Sequence, residues 1–140
     1  MALALAVPAM GEVGMINFGI TNSIANNATT SVNLGSVVSI TGQENCGMMM
    51  KFQGSEAGTG LITVTFARSP DNSNWETSPR FTWINSLNGN TAVVGYTNFT
   101  ATQIGAAGYL KVVSIANADA NASATNASLY LCKKTVKAAP

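Results

Sequence analysis

The chain has no histidine, only 9% charged residues, two cysteines and four prolines. Without an imidazole, Ser-His-Asp and Cys-His nucleophilic systems are excluded. Two thiols with no imidazole beside them make a poor zinc set, so neither a metal nor a cofactor is expected. The six acidic residues are Glu12, Glu44, Glu56, Asp71, Glu76 and Asp119. Glycoside hydrolysis needs two such groups facing each other across a cleft, but Asp71 and Glu76 read as a turn residue and a charge at the start of the next strand. The glycine-rich stretch Gly54 to Gly60 lacks the lysine and the following helix of a phosphate-binding loop. No catalytic residue is assigned, and the chain reads as non-enzymatic.

A net charge of +1 provides no field to attract a polyanion, so nucleic acid is not expected as a partner. Lys133, Lys134 and Lys137 read as a solvated basic tail. No apolar run approaches the eighteen or so residues that span a bilayer, so no membrane partner is expected. Cys46 and Cys132 allow at most one bridge and form no CxxC pattern, leaving a disulfide and two thiols as alternatives.

Hydrophobic residues make up 46% of the chain, and its polarity comes mainly from Asn, Thr, Ser and Gly. Soluble domains usually carry about 25% charged residues, so this surface is weakly solvated and reads as partly covered by other subunits. At 140 residues the chain has the length of one domain with one core.

The clearest element is Gly60 to Trp83. Ile62, Val64 and Phe66 alternate with Thr63, Thr65 and Ala67, the period of a half-buried strand. Ser69-Pro70-Asp71-Asn72-Ser73-Asn74 then supplies turn chemistry, and Phe81 to Ile84 begins the return strand. Similar short runs occur at Ile16 to Ile20, Val32 to Leu34, Val38 to Ile40, Met48 to Phe52, Tyr109 to Ile115 and Ser128 to Val136. The methionines in the fourth of these read as adaptable core filler. Asn26 to Thr30 and Asn117 to Asn126 read as loops, and Thr100 to Ala107 as a helical turn or loop. Asn88-Gly89 is the strongest hairpin signal, predicted to pair Phe81–Ser86 with Thr91–Phe99. The pattern predicts an all-β sandwich of about eight strands over residues 15–137, jelly-roll-like or immunoglobulin-like.

Met1 to Met10 lacks the basic start of a signal peptide, and its apolar run is short. Residues 1–14 are read as an extended N-terminal arm laid on a neighbouring subunit through Leu3, Leu5, Val7 and Met10, with a first strand of the same domain as the alternative. The second candidate contact is the loop bearing Asp71, Asn74 and Trp75. An exposed tryptophan beside polar neighbours would also suit a carbohydrate-binding module, whereas Trp83, inside a strand, reads as core.

The turn Arg68-Ser69-Pro70-Asp71-Asn72-Ser73-Asn74-Trp75-Glu76, followed by polar strands, Gly108 to Val113 and Ala127 to Leu131, resembles small β-sandwich virion proteins of tailed bacteriophages. Size, low charge and the apolar arm make it most similar to capsid decoration, or cement, proteins. The resemblance implies a place on the outer surface of the capsid after assembly in the bacterial host cytoplasm. It also implies the major capsid protein and further copies of the chain, as homodimer or homotrimer, as partners. Tail and fibre components share the same look.

Overall fold

The computed structural model describes residues 12–20, 23–30, 36–41, 46–78 and 81–135. Among these described residues nine strands run β1 Glu12–Asn17, β2 Ala28–Thr30, β3 Val38–Ser39, β4 Cys46–Gly54, β5 Leu61–Ser69, β6 Phe81–Ser86, β7 Ala92–Asn98, β8 Tyr109–Asn117 and β9 Ala124–Thr135. A single helical turn, α1 Ala101–Ile104, precedes β8. Two antiparallel sheets face each other, one ordered β1-β9-β4-β7 (sheet A), the other β2-β8-β5-β6 with β3 also on β8 (sheet B).

β2 and β3 pair with opposite ends of β8, at Ile115 to Asn117 and at Tyr109 to Leu110, and so form one interrupted edge. Counted together they make an eight-stranded sandwich, and the pairings nest: first with last, second with seventh, third with sixth, fourth with fifth. That nesting is a long hairpin rolled around the core, the jelly-roll arrangement of two sheets. It leaves no room for the immunoglobulin order, in which the strands divide four against three.

Alternation decides which residues fill the space between the sheets. Met48, Met50 and Phe52 of β4 and Leu129 and Leu131 of β9 meet Ile62, Val64 and Phe66 of β5 and Leu110 of β8, all buried. At about 1.5–3 kcal/mol per buried side chain this apolar layer is the main stabilising term. Each sheet carries one irregularity, where β4 meets β9 between Lys51 and Gln53 and where β5 meets β8 between Thr65 and Phe66. Asn126, with φ of 53°, lies at the first of them.

Several local expectations fail. Of the stretch 117–126 read as a loop, Asn117 belongs to β8 and Ala124 to Asn126 to β9. Ala28–Thr30 is a strand rather than part of a loop, because its partner on β8 outweighs the turn propensity of the Asn pair before it. The hairpin around Asn88-Gly89 does not form. β6 pairs with β5 and β7 with β4, in different sheets. The turn itself is tight, with Gly89 at φ of 57° and the Thr91 amide donating to the Asn88 carbonyl, but it carries the chain from one sheet to the other. Gly89 N–H also donates to the Gly58 carbonyl, tying the crossover to the loop before β5.

Glu12 to Gly14, included in the arm by sequence, form the start of β1 and pair with Thr135, Lys134 and Lys133. Leu3, Leu5, Val7 and Met10 lie outside the described residues. Cys46 and Cys132 are thiols. Cys46 sits on the inward parity of β4 with Met48, while Cys132 lies opposite the outward Gly47, so the two occupy opposite faces of neighbouring strands. Burial pushes the Cys132 thiol up.

Candidate functional site

The loop from β5 to β6 is organised by one carboxylate. Asp71 Oδ1 accepts from the amides of Ser73 at 2.9 Å and Asn74 at 2.8 Å, while Oδ2 accepts from Asn74 Nδ2 at 2.6 Å. Ser69 Oγ lies 3.1 Å from the same Oδ1. These donors, with the Asn74 amide foremost, hold the Asp71 carboxyl well below the usual carboxylate range. Both Asp71 and Asn74 are exposed, but their polar atoms are largely spent on each other. Asn72 adopts φ of 64° at the tip, a conformation asparagine tolerates.

Trp75 is half-buried and folds back on sheet B, where Lys111 Nζ lies 4.2 Å from its ring centroid. Next to it, Glu76 pairs with Arg68 through Oε1, which accepts from Arg68 Nε at 2.6 Å. Arg68 follows Phe66 on the inward parity of β5, so its guanidinium lies at the end of the sandwich and also donates to the Gln103 carbonyl. Glu76 Oε2 is buried without a hydrogen bond. A cleft of about 330 Å³ opens here between Arg68, Glu76, Pro70 and the Ile104 to Ala107 segment. The sequence-selected trio therefore lies in one loop, but Trp75 has one ring face against Lys111 rather than open to a ligand.

A feature that sequence reasoning missed lies at the opposite end of β5. Asp119, within the Asn/Ala stretch read as a plain loop, is buried and accepts four backbone amides. Asn121 and Ala122 donate to Oδ1 at 2.9 and 2.7 Å, and Thr59 and Gly60 to Oδ2 at 2.9 and 2.7 Å. The Ala122 amide first, then Asn121 and Gly60, lower the Asp119 carboxyl to about 2. A β-carbon on Gly60 would sit 2.4 Å from Asp119 Cα, so only glycine fits there. The glycine-rich loop that failed as a phosphate cradle thus cradles a carboxylate of its own chain. Asn117 completes the cluster, donating to the Ala122 carbonyl at 2.9 Å.

The outward face of sheet A carries several exposed apolar side chains. The registers place Asn17, Tyr130, Met49 and Tyr96 in one row across four strands, with Met15, Cys132, Gly47 and Asn98 in the next and Ser128, Lys51 and Val94 in a third. Met15, Val94 and Tyr96 are 52%, 59% and 60% exposed. Sheet B instead presents Thr29, Thr63, Thr65, Thr82, Ser114 and Ala116, with Leu61 and Ile84 as its exposed apolar residues.

Among the described residues no group of three metal-ligating side chains converges, and no helix is long and apolar enough to cross a membrane. In comparisons with known proteins, no family model and no curated protein matches the chain.

Proposed function

We propose that this chain is a non-enzymatic structural virion protein, a capsid decoration or cement protein. It would bind the outside of a phage head shell, after assembly in the host cytoplasm, and stabilise contacts between major capsid protein subunits. The observation that carries the reading is the outward face of sheet A, where Met15, Met49, Val94, Tyr96 and Tyr130 share one surface with a single lysine, Lys51, among the residues whose side chains are described. An apolar face of this kind is the mark of a surface made for protein contact. Jelly rolls serve as virion and lectin domains alike, and a fold by itself does not choose between them.

The mechanism is one of repetition. A modest contact made by every copy on a symmetric shell is multiplied by avidity. Docking Leu3, Leu5, Val7 and Met10 of the arm on a neighbour would add on the order of 6 kcal/mol at roughly 1.5 kcal/mol each, less the entropy of ordering the segment. The test is copy number per purified particle together with attachment of a protein lacking residues 2–10. Stoichiometry comparable to the shell protein, with attachment reduced by the deletion, is expected. A handful of copies per particle would point to a tail or fibre component and overturn the cement reading. The alternative sugar-binding reading is disfavoured by Lys111, which takes up one face of Trp75.

A further inference from the structure

From Phe81 to Leu110 the chain carries no charged residue. That stretch contains β6 and β7, which are the edge strands of the two sheets on the same side of the sandwich. They meet through their inward faces, where a β-carbon on Gly95 would clash with the Asn85 amide and the Trp83 ring. Their outer edges have no partner strand among the described residues.

Proteins normally blunt such edges with lysine, proline, a bulge or brevity. The opposite edge of sheet B follows that rule, being broken into strands of three and two residues. β1, the other edge of sheet A, carries Glu12. β7 has none of these devices. It runs seven residues, Ala-Val-Val-Gly-Tyr-Thr-Asn, in unbroken register with β4, and it points Val94 and Tyr96 outward at 59% and 60% exposure.

We infer that β7 pairs antiparallel with β7 of a second copy of this chain, about a two-fold axis near Gly95. Sheet A then continues into an eight-stranded sheet across the dimer. Three properties select a second copy as the occupant. The strand itself carries no charge, and the nearest one, Lys51 of β4, stands one strand back from the edge, so bringing two identical edges together sets no like charges against each other at the seam, and a charged partner strand finds no counter-charge on the edge. Pairing about Gly95 sets Val94 opposite Tyr96 on both sides of the axis, an aromatic with β-branched pair of the kind that stabilises sheets. The contact is isologous, so it closes at two copies instead of propagating as a fibre. The inference deepens the proposed function by naming a contact between copies, and it needs no particle to be tested.

The experiment is sedimentation equilibrium of the whole purified chain from micromolar to near-millimolar concentration, with amide hydrogen exchange at both extremes. Twice the 14.4 kDa chain mass is expected at high concentration, with the amides of residues 92–98 protected only there. Val94→Lys places an ammonium group beside the axis in each copy and is expected to weaken the dimer at least about tenfold. Its circular dichroism should match that of the parent, since Val94 is exposed, while its dilute-solution melting falls slightly because the new lysine stands opposite Lys51 of β4. A monomer at every concentration, a trimer, or a dimer unaffected by Val94→Lys would each overturn the inference. So would β7 protection independent of concentration, which would mean that the same chain covers its own edge. None of these results would bear on attachment to a shell, which copy number tests separately; a confirmed dimer with no particle association would sink the cement reading alone.

Discussion

Asp119 and Asp71 sit at opposite ends of the same strand, each accepting several hydrogen bonds, and they do different work. Asp71 gathers donors from Ser69 to Asn74, all within three residues of itself. Asp119 joins its own loop to Thr59 and Gly60, about sixty residues away in sequence. Asp71 is exposed, whereas Asp119 is buried. A local carboxylate shapes one turn, and a buried one that bridges two loops fixes how the strands of both sheets end. The same residue type thus marks a surface available for contact at one end and a staple at the other.

Replacing Asp119 should break this contrast most severely. Asp119→Ala leaves four amides without their acceptor, that of Ala122 buried and those of Thr59, Gly60 and Asn121 part-buried, and is expected to lower Tm on the order of 10 °C. Asp119→Asn should lower it nearly as much, because one of its two positions would turn an amide group toward amides that can only donate. A melt by circular dichroism measures both. Acid should act through the same residue. With its folded carboxyl lowered to about 2 from 3.8, the stabilisation is complete above about pH 4 and is lost as pH falls through about 2. The parent should therefore lose stability over that window, and Asp119→Ala should do so more gently; an identical pH slope in the two proteins would remove Asp119 as the cause.

At the other end the effects should shrink. Glu76→Ala leaves Arg68 with the Gln103 carbonyl but without its carboxylate, and a Tm loss of about 6 °C is expected. Asp71→Ala should lower Tm by only about 3 °C, since its donors are exposed and water replaces the lost acceptor. A loss at Asp71 equal to that at Asp119 would erase the distinction between turn and staple.

The two ends were also unequally legible. Around Asp71 the signal is local: an alternating strand, a Pro-Asp-Asn turn and a return strand are contiguous, and β5 pairs with β6 over Leu61 to Phe66 as read. Asp119 gives no such signal, because its partners Thr59 and Gly60 lie in another loop and become neighbours only once β8 has paired with β5. Asn88-Gly89 fails for a related reason. A turn dipeptide specifies how sharply the chain reverses, and period-2 alternation specifies which face is buried, but neither names the strand alongside. In a rolled topology the chain can reverse and still leave its sheet. Exposed Val94 and Tyr96 are likewise invisible in the alternation, since β7 puts apolar residues outward where the period alone predicts polar ones.

The smallest effect concerns Lys111 and Trp75, and it sharpens the comparison by asking whether the Asp71 end is a surface or a closed joint. The ammonium 4.2 Å from the ring centroid contributes roughly 0.5–1 kcal/mol at a partly exposed site. Lys111→Met keeps the stem that lies along the sheet and removes the charge. Tm should fall by only about 2 °C, while the tryptophan emission shifts because the charge beside the indole is gone. With the ammonium removed, the ring face becomes open for stacking. A fluorescence titration with a panel of mono- and oligosaccharides should then leave the parent silent, consistent with a face already occupied. Sugar-dependent quenching in the parent would show that Lys111 yields its place to a ligand, and would turn the Asp71 end from a folded-back loop into a binding surface.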